Sequence, residues 1–192
     1  METIDPRVLL VQIAERLERL NIPYLVTGGI AVYVWGRPRF TADIDIVVEL
    51  HESNLSALER ALRELGTAGY LDADAMRDAL RIGGEFNFID EQTGIKVDFW
   101  MLKNDEFDRQ RLSRRVAKTI LGKTVYFSSP EDLILSKLRW YKASGSSRQI
   151  EDVESIVTIS GDRLDFKYVE VWAAKLGCTD IFSEVKNRPK RS

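Results

Sequence analysis

The sequence predicts an α+β fold: a small mixed sheet with helices on one side, followed by a helical C-terminal part. Three observations carry this. Strand-like and helix-like stretches alternate up to about residue 128. Two pairs of strand-like stretches flank short turns and read as hairpins. At Ser129-Pro130-Glu131-Asp132 the pattern changes, and only helical periodicity follows. The expected organisation is a core over residues 1–128 and a helical region over 129–192.

Each element has a local reason. Asp5-Pro6 supplies an N-cap and a proline at the first helical position, and Val8, Val11, Ala14, Leu17 and Leu20 recur at helical spacing. Asn21-Ile22-Pro23 ends that helix, and Tyr24-Leu25-Val26 is a short buried strand leading into Thr27-Gly28-Gly29. Residues 30–36 read as a helix stopped by Gly36, and Arg37–Thr41 as a loop. Residues 43–49 form a two-faced strand: Asp43, Asp45 and Val47 point one way, Ile44, Ile46 and Val48 the other. A helix follows from about Ser53 to Leu65. Residues 66–85 are glycine-rich and carry no clear periodicity. Residues 86–90 and 95–101 form a hairpin around Glu91-Gln92-Thr93-Gly94, and a charged helix falls within 105–115. Val116–Ile120 and Val125–Phe127 form a second hairpin around Leu121-Gly122-Lys123. Serine at the N-cap, proline at N1 and two acids in the first turn start the helical part, with helices at about 130–142, 148–159 and 165–176.

Composition narrows the function classes. The chain has 192 residues, 44% hydrophobic and 30% charged, which supports one continuous core. A net charge of −2 gives no global field for nucleic acid, so such a contact needs a local patch. Arg109, Arg111, Arg114, Arg115, Lys118 and Lys123, and the tail Lys186, Arg188, Lys190 and Arg191, are the candidates; a solvated face is their ordinary reading, an RNA-facing patch the other. Cys178 is the single cysteine, which excludes an internal disulfide and a cysteine-cluster metal site, and His51 has no partner histidine. No apolar run is long enough to span a bilayer and the N-terminus lacks a signal peptide's pattern, so a cytoplasmic location and no membrane partner are expected. Trp35, Trp100, Trp140 and Tyr141 read mainly as core, with base stacking by Trp140-Tyr141 as the alternative.

The chemistry rests on three acids and a glycine pair. Asp43 and Asp45, two apart in a strand, share one face with Cα atoms roughly 6.5–7 Å apart. Carboxylates flanked by core aliphatics repel unless a cation lies between them. Acid-only oxygen ligation favours Mg²⁺, or Mn²⁺, over zinc. Asp98 lies in another alternating strand with Lys96 and Trp100 on its face; if the two strands are neighbours, it completes a cluster suited to two-metal phosphoryl transfer. Gly28-Gly29, between a strand and a helix, let the backbone approach a phosphate closely, and the helix N-terminus adds unpaired N–H groups.

The pattern Gly28-Gly29, Arg39-x-Thr41-x-Asp43-x-Asp45 and Lys96-Val97-Asp98-Phe99 resembles the nucleotidyltransferase superfamily related to DNA polymerase β. It is most similar to the small prokaryotic branch, which includes the minimal nucleotidyltransferases and the AbiEii-type toxins; the likeness covers about residues 20–100. The resemblance implies a nucleotidyltransferase fold, with Asp43, Asp45 and Asp98 as catalytic metal ligands. It extends to Pro130–Leu138, Arg148 and Asp152, where Lys137 and Arg148 would face the nucleotide. The toxins commonly carry an Arg-Asp pair where this chain has Arg148-Gln149.

The implied activity is magnesium-dependent transfer of a nucleoside monophosphate from an NTP to an acceptor, with release of pyrophosphate. Nucleotide contacts are expected from Gly28, Gly29, Arg39, Thr41, Lys137 and Arg148, although a salt bridge and a turn hydrogen bond explain Arg39 and Thr41 equally well. The acceptor is a tRNA end, a protein hydroxyl or a small molecule, and a cognate antitoxin or toxin partner is implied. The alternatives are a non-catalytic nucleotide- or partner-binding module on the same fold and, more weakly, a phosphodiesterase or nuclease.

Overall fold

A computed structural model describes residues 5–65 and 69–188. Lys190 and Arg191 of the basic tail lie outside the described residues. The chain divides into two compact units. One is built on the chain up to Ile30 and on Thr41–Ser128, the other on Ala31–Phe40 and the chain from Ser129 onward.

The first unit is a seven-stranded mixed sheet with helices packed on it. Helix α1 (Pro6–Arg19) begins where Asp5 accepts a hydrogen bond from the Arg7 backbone N–H. Strand β1 (Tyr24–Thr27) follows and runs into helix α2 (Gly28–Trp35), within which the boundary between the units falls. Strand β2 (Asp43–Val48) and helix α3 (Glu52–Arg63) come next, with exposed His51 as the helix N-cap. The stretch without clear periodicity contains strand β3 (Tyr70–Leu71) and helix α4 (Ala73–Ile82). Asp72 caps α4 through the N–H groups of Asp74 and Ala75, a local signal that the surrounding glycines masked. Strands β4 (Glu85–Ile89) and β5 (Lys96–Met101), helix α5 (Glu106–Ser113), and strands β6 (Val116–Ile120) and β7 (Lys123–Phe127) complete the unit.

The strand order is β3-β4-β5-β2-β1-β7-β6. Both expected hairpins form as antiparallel pairs, β4 with β5 and β6 with β7. Strand β2 lies antiparallel to β1 and parallel to β5. One face buries Ile44, Ile46, Val48, Val97, Phe99, Phe86 and Phe88. Phe86 and Phe99 stack with ring centroids 4.9 Å apart. The opposite face carries Asp43, Asp45, Lys96 and Asp98, and farther along the strands Leu25, Val47 and Leu112 form a small apolar cluster against Trp100.

The second unit is helical: α6 (Pro130–Ser144), α7 (Ser147–Ser160), α8 (Phe166–Lys175) and α9 (Thr179–Asn187). The start of α6 follows the sequence signal, since Ser129 Oγ accepts from the Asp132 N–H at 3.1 Å. Helix α9 is an addition to the sequence reading. Its fully buried side chains are only Phe182 and Val185, too short a stripe to stand out. Trp140 departs from its expected core position: it is 51% exposed, because α6 turns Leu133, Ile134, Leu135 and Leu138 inward instead.

Residues 31–40 belong with these helices because α7 grips them. Ser160 Oγ donates to the Trp35 carbonyl at 2.6 Å, and Ser155 Oγ accepts from the Arg37 N–H. Gly36 packs so closely on α7 that an added Cβ would lie 2.5 Å from Ser155 Oγ and 3.2 Å from the Ile156 nitrogen.

Candidate active site

The three acids come from two strands that are separated in sequence by α3, β3, α4 and β4 and adjacent in the sheet. In the parallel β2–β5 register, Asp45 is the direct partner of Asp98 and Asp43 of Lys96. Partnered residues on neighbouring strands lie about 5 Å apart and point to the same face. Asp98 is 8% exposed, whereas Asp43 and Asp45 are half-buried. Among the described residues, no three Asp, Glu, His or Cys side chains already converge as a ready-made ligand group.

A lysine is the counter-charge to these acids. Lys96 Nζ lies 2.8 Å from Asp98 Oδ2. That hydrogen bond raises the Lys96 ammonium above its ordinary pKa against the opposing effect of burial, and the charges of Asp98, Asp43 and Glu85 add to the rise. Glu85 is an acid that the sequence reading left aside. Burial, then the charges of Asp98 and Asp45, raise its carboxyl, with Lys96 opposing. Its signal was present in the alternation Glu85-Phe86-Asn87-Phe88, which puts Glu85 and Asn87 on the exposed face and both phenylalanines inside.

Both glycines are fixed by what lies against them. Gly28 has φ +64° at the β1–α2 junction, and an added Cβ would land on the Asp45 carboxylate. Gly29 faces Thr41, where an added Cβ would sit 2.6 Å from the hydroxyl oxygen. Thr41 Oγ1 donates to the Asp43 carbonyl at 3.3 Å, so it braces the entry to β2. In this structure the glycine pair makes room for the side chains on and before β2.

The cations expected at the nucleotide lie in the helical unit. Arg39 grips Asp152 with both ends of its fork, Nε at 2.7 Å from Oδ1 and Nη2 at 2.8 Å from Oδ2. Lys137 Nζ lies 2.8 Å from the same Oδ2. The side chains of Lys137 and Asp152 are only 8% and 2% exposed. Burial is the largest influence on the Asp152 carboxyl and pushes it up; the Arg39 hydrogen bonds and the Lys137 charge together outweigh it and hold the pKa below the ordinary value. Arg148 stands apart, exposed in the first turn of α7.

The basic run over residues 109–123 is largely taken up within its own unit. Arg111 Nε is 3.0 Å from Asp108 Oδ1, the Arg115 guanidinium lies 4.8 Å from the Tyr126 ring centroid, and Lys123 Nζ is 2.6 Å from Glu15.

Residues 12–181 match the profile of a family described as "Nucleotidyl transferase AbiEii toxin, Type IV TA system". The chain belongs to the AbiEii nucleotidyltransferase toxin family. It is therefore an enzyme of nucleotidyl transfer, of a family assigned to toxin–antitoxin systems. A search of curated proteins gives no significant match. Solved structures share the fold at low identity. The antibiotic-resistance factor ANT(2'')-Ia in solution is 18% identical with a TM-score of 0.61, over 93% of this chain and 95% of that one. An antigenic nucleotidyltransferase-like protein from Paracoccidioides brasiliensis is 18% identical with a TM-score of 0.54, over 97% and 94%. The lincosamide adenylyltransferase LnuA is 12% identical with a TM-score of 0.51, over 80% and 98%. No helix among the described residues of this AbiEii-family chain is long and apolar enough to cross a membrane.

Proposed function

We propose that this AbiEii-family chain transfers a nucleoside monophosphate from an NTP to an acceptor hydroxyl, with Mg²⁺ or Mn²⁺ held by Asp43, Asp45 and Asp98. The observation that carries the reading is the pairing of Asp45 with Asp98 across β2 and β5, with Asp43 two residues along on the same face. The donor set fits a hard divalent cation: it is all carboxylate oxygen, and the face already draws the Lys96 ammonium to Asp98. Bound there, the metal would supply charge neutralisation on the phosphates and a lowered pKa for the acceptor hydroxyl.

The chain's own residues supply the rest. The acceptor oxygen bonds to the α-phosphorus, the bond from that phosphorus to the bridging oxygen breaks, and pyrophosphate leaves. Asp98 takes the hydroxyl proton, a role supported by its near-complete burial beside Asp45. The Gly28-Gly29 backbone lies against the phosphates while keeping Asp45 and Thr41 in place. Lys137 and Arg39 neutralise phosphate charge, and exposed Arg148 makes a peripheral contact. The acceptor is a tRNA end, a protein hydroxyl or a small-molecule hydroxyl, and a cognate antitoxin is the expected protein partner.

The test is incubation of the protein with each α-labelled NTP, Mg²⁺ and cell extract. One labelled band is expected, and its nature as RNA, protein or small molecule names the acceptor. Asp45→Asn is expected to abolish labelling while thermal unfolding stays cooperative. Labelling that survives this change would show the metal assignment to be wrong.

A further inference from the structure

A row of polar side chains crosses four neighbouring strands of the sheet at one level. Thr27 on β1 is the register partner of Asp45 on β2, Asp45 of Asp98 on β5, and Asp98 of Asn87 on β4. Partnered residues point to one face, and neighbouring strands lie about 4.8 Å apart. The two ends of the row differ. Thr27 runs straight into Gly28-Gly29 at the start of α2. Asn87 is exposed, and among the described residues β3 flanks β4 only at Phe88 and Ile89.

The row gives the transfer a direction. The acceptor oxygen approaches the α-phosphorus on the side opposite the leaving pyrophosphate. With the phosphates against the glycine turn and the hydroxyl proton taken by Asp98, the acceptor lies beyond Asp45 on the Asp98 side. The next residue of the row on that side is Asn87. Directly opposed residues of an antiparallel pair have Cβ atoms about 4.5–5.5 Å apart, and diagonal neighbours lie about 7–8 Å apart. Asn87 is the direct neighbour of Asp98, and exposed Glu85 is a diagonal one on the same face. After burial, the charge of Asp98 does most to raise the Glu85 carboxyl. The register partner of Glu85 is Trp100, half-buried against Leu25, Val47 and Leu112.

These three side chains match one class of acceptor. The Asn87 amide both accepts and donates hydrogen bonds, and an ionised Glu85 only accepts them. Hydroxyls or amines next to the reacting hydroxyl would satisfy both. The uncovered part of Trp100 offers an apolar surface to a C–H face. A sugar carries all of these features. A serine or tyrosine carries no second hydroxyl or amine on the carbon next to its own hydroxyl.

We propose that Asn87 and Glu85 select the acceptor of nucleotidyl transfer, holding a sugar by the hydroxyls or amines beside the hydroxyl that reacts. This rests on the reading that the chain transfers a nucleoside monophosphate with Asp98 at the acceptor. The sugar oxygen bonds to the α-phosphorus, its proton goes to Asp98 and pyrophosphate leaves, so the product is a sugar phosphodiester.

The test uses the full chain, Mg²⁺, each α-labelled NTP and cell extract treated beforehand with periodate. Periodate cleaves the bond between carbons bearing vicinal hydroxyls, or a hydroxyl and an amine. It is quenched and removed before the NTP is added, because the NTP ribose is itself a vicinal diol. Labelling is expected with untreated extract, and a loss of about tenfold or more with treated extract. Ribonuclease and size filtration then separate an RNA-terminal ribose from a small sugar. Asn87→Leu and Glu85→Gln are each expected to need about tenfold more extract for half-maximal labelling. KM for the NTP and calorimetric binding of Mg²⁺–NTP should stay within about twofold of the wild type, whereas a residue that only supported the sheet would shift these as well. Asn87→Ala stands in where Asn87→Leu does not fold. Labelling that survives periodate, or that falls on a protein side chain, overturns the sugar acceptor. An unchanged extract requirement in the folded variants overturns the assignment of Asn87 and Glu85. Either result leaves nucleotidyl transfer standing, whereas no labelling from any NTP removes that reading and this one with it.

Discussion

Replacing Gly28 by alanine separates backbone strain from a direct collision with a proposed metal ligand. Gly28 has φ +64°, so alanine there carries about 1–2 kcal/mol of left-handed strain. The new Cβ would also fall 2.5 Å from Asp45 Cγ and 2.8 Å from its Cβ, both far inside van der Waals contact. Relieving that overlap costs about 1–3 kcal/mol more by analogy with overpacked cores. The expected total is about 2–5 kcal/mol, and the Asp45 carboxylate is driven from its place beside Asp98. Gly83 provides the matched control. It ends α4 with φ +71°, and an added Cβ there meets nothing within 4 Å. Gly83→Ala should lose only the strain of about 1–2 kcal/mol and keep full transfer. Urea denaturation gives both stabilities, and labelled-NTP transfer gives both activities. The reasoning fails if Gly28→Ala is no less stable than Gly83→Ala and still transfers nucleotide at the wild-type rate.

Gly36→Ala should separate segment 35–39 from α7, since its Cβ would lie 3.2 Å from a backbone nitrogen that cannot swing away; faster proteolysis within 31–40 is the readout, and unchanged cleavage would refute the contact. Phe99→Ala removes a fully buried ring stacked on Phe86 and should cost about 3–5 kcal/mol of unfolding free energy, read from urea denaturation. The pH dependence follows from Asp152. A carboxyl with a depressed folded pKa stabilises the fold above its unfolded value and loses that contribution as pH falls through the folded value. Stability from this group is therefore complete above about pH 4 and declines below it, and Asp152→Asn should flatten that part of the acid limb. An acid limb identical in the variant would remove Asp152 as its source.

Most of the core unit was legible because its signals are local. The alternation in residues 43–48 and 96–101 fixed which side chains share a face, and both turn clusters marked real hairpins. Caps marked the starts of α1 and α6. The weak points were also local. Helix α4 lay in a glycine-rich stretch with its cap at Asp72, α9 had a two-residue buried stripe, and Trp140 sits on a face that α6 leaves to solvent. Of the proposed site, the faces of Asp43, Asp45 and Asp98 could be read from strand periodicity. Glu85 could have been, since it alternates with two buried phenylalanines.

The sequence alone determined which residues point together along one strand or helix, because a face repeats every two or 3.6 residues whatever surrounds it. It thereby determined that Asp43 and Asp45 lie on one side of their strand and that Asp98 lies on one face of another. Only the tertiary structure decided that β5 lies parallel to β2 with Asp98 opposite Asp45, since no local rule selects a strand's neighbour. Only it revealed that Gly28 is shaped by the Asp45 carboxylate. And only it joined Arg39 to Asp152 across 113 residues of sequence, with Lys137 on the same oxygen. Such contacts depend on how separate elements pack, where burial and charge balance rather than periodicity choose the partner.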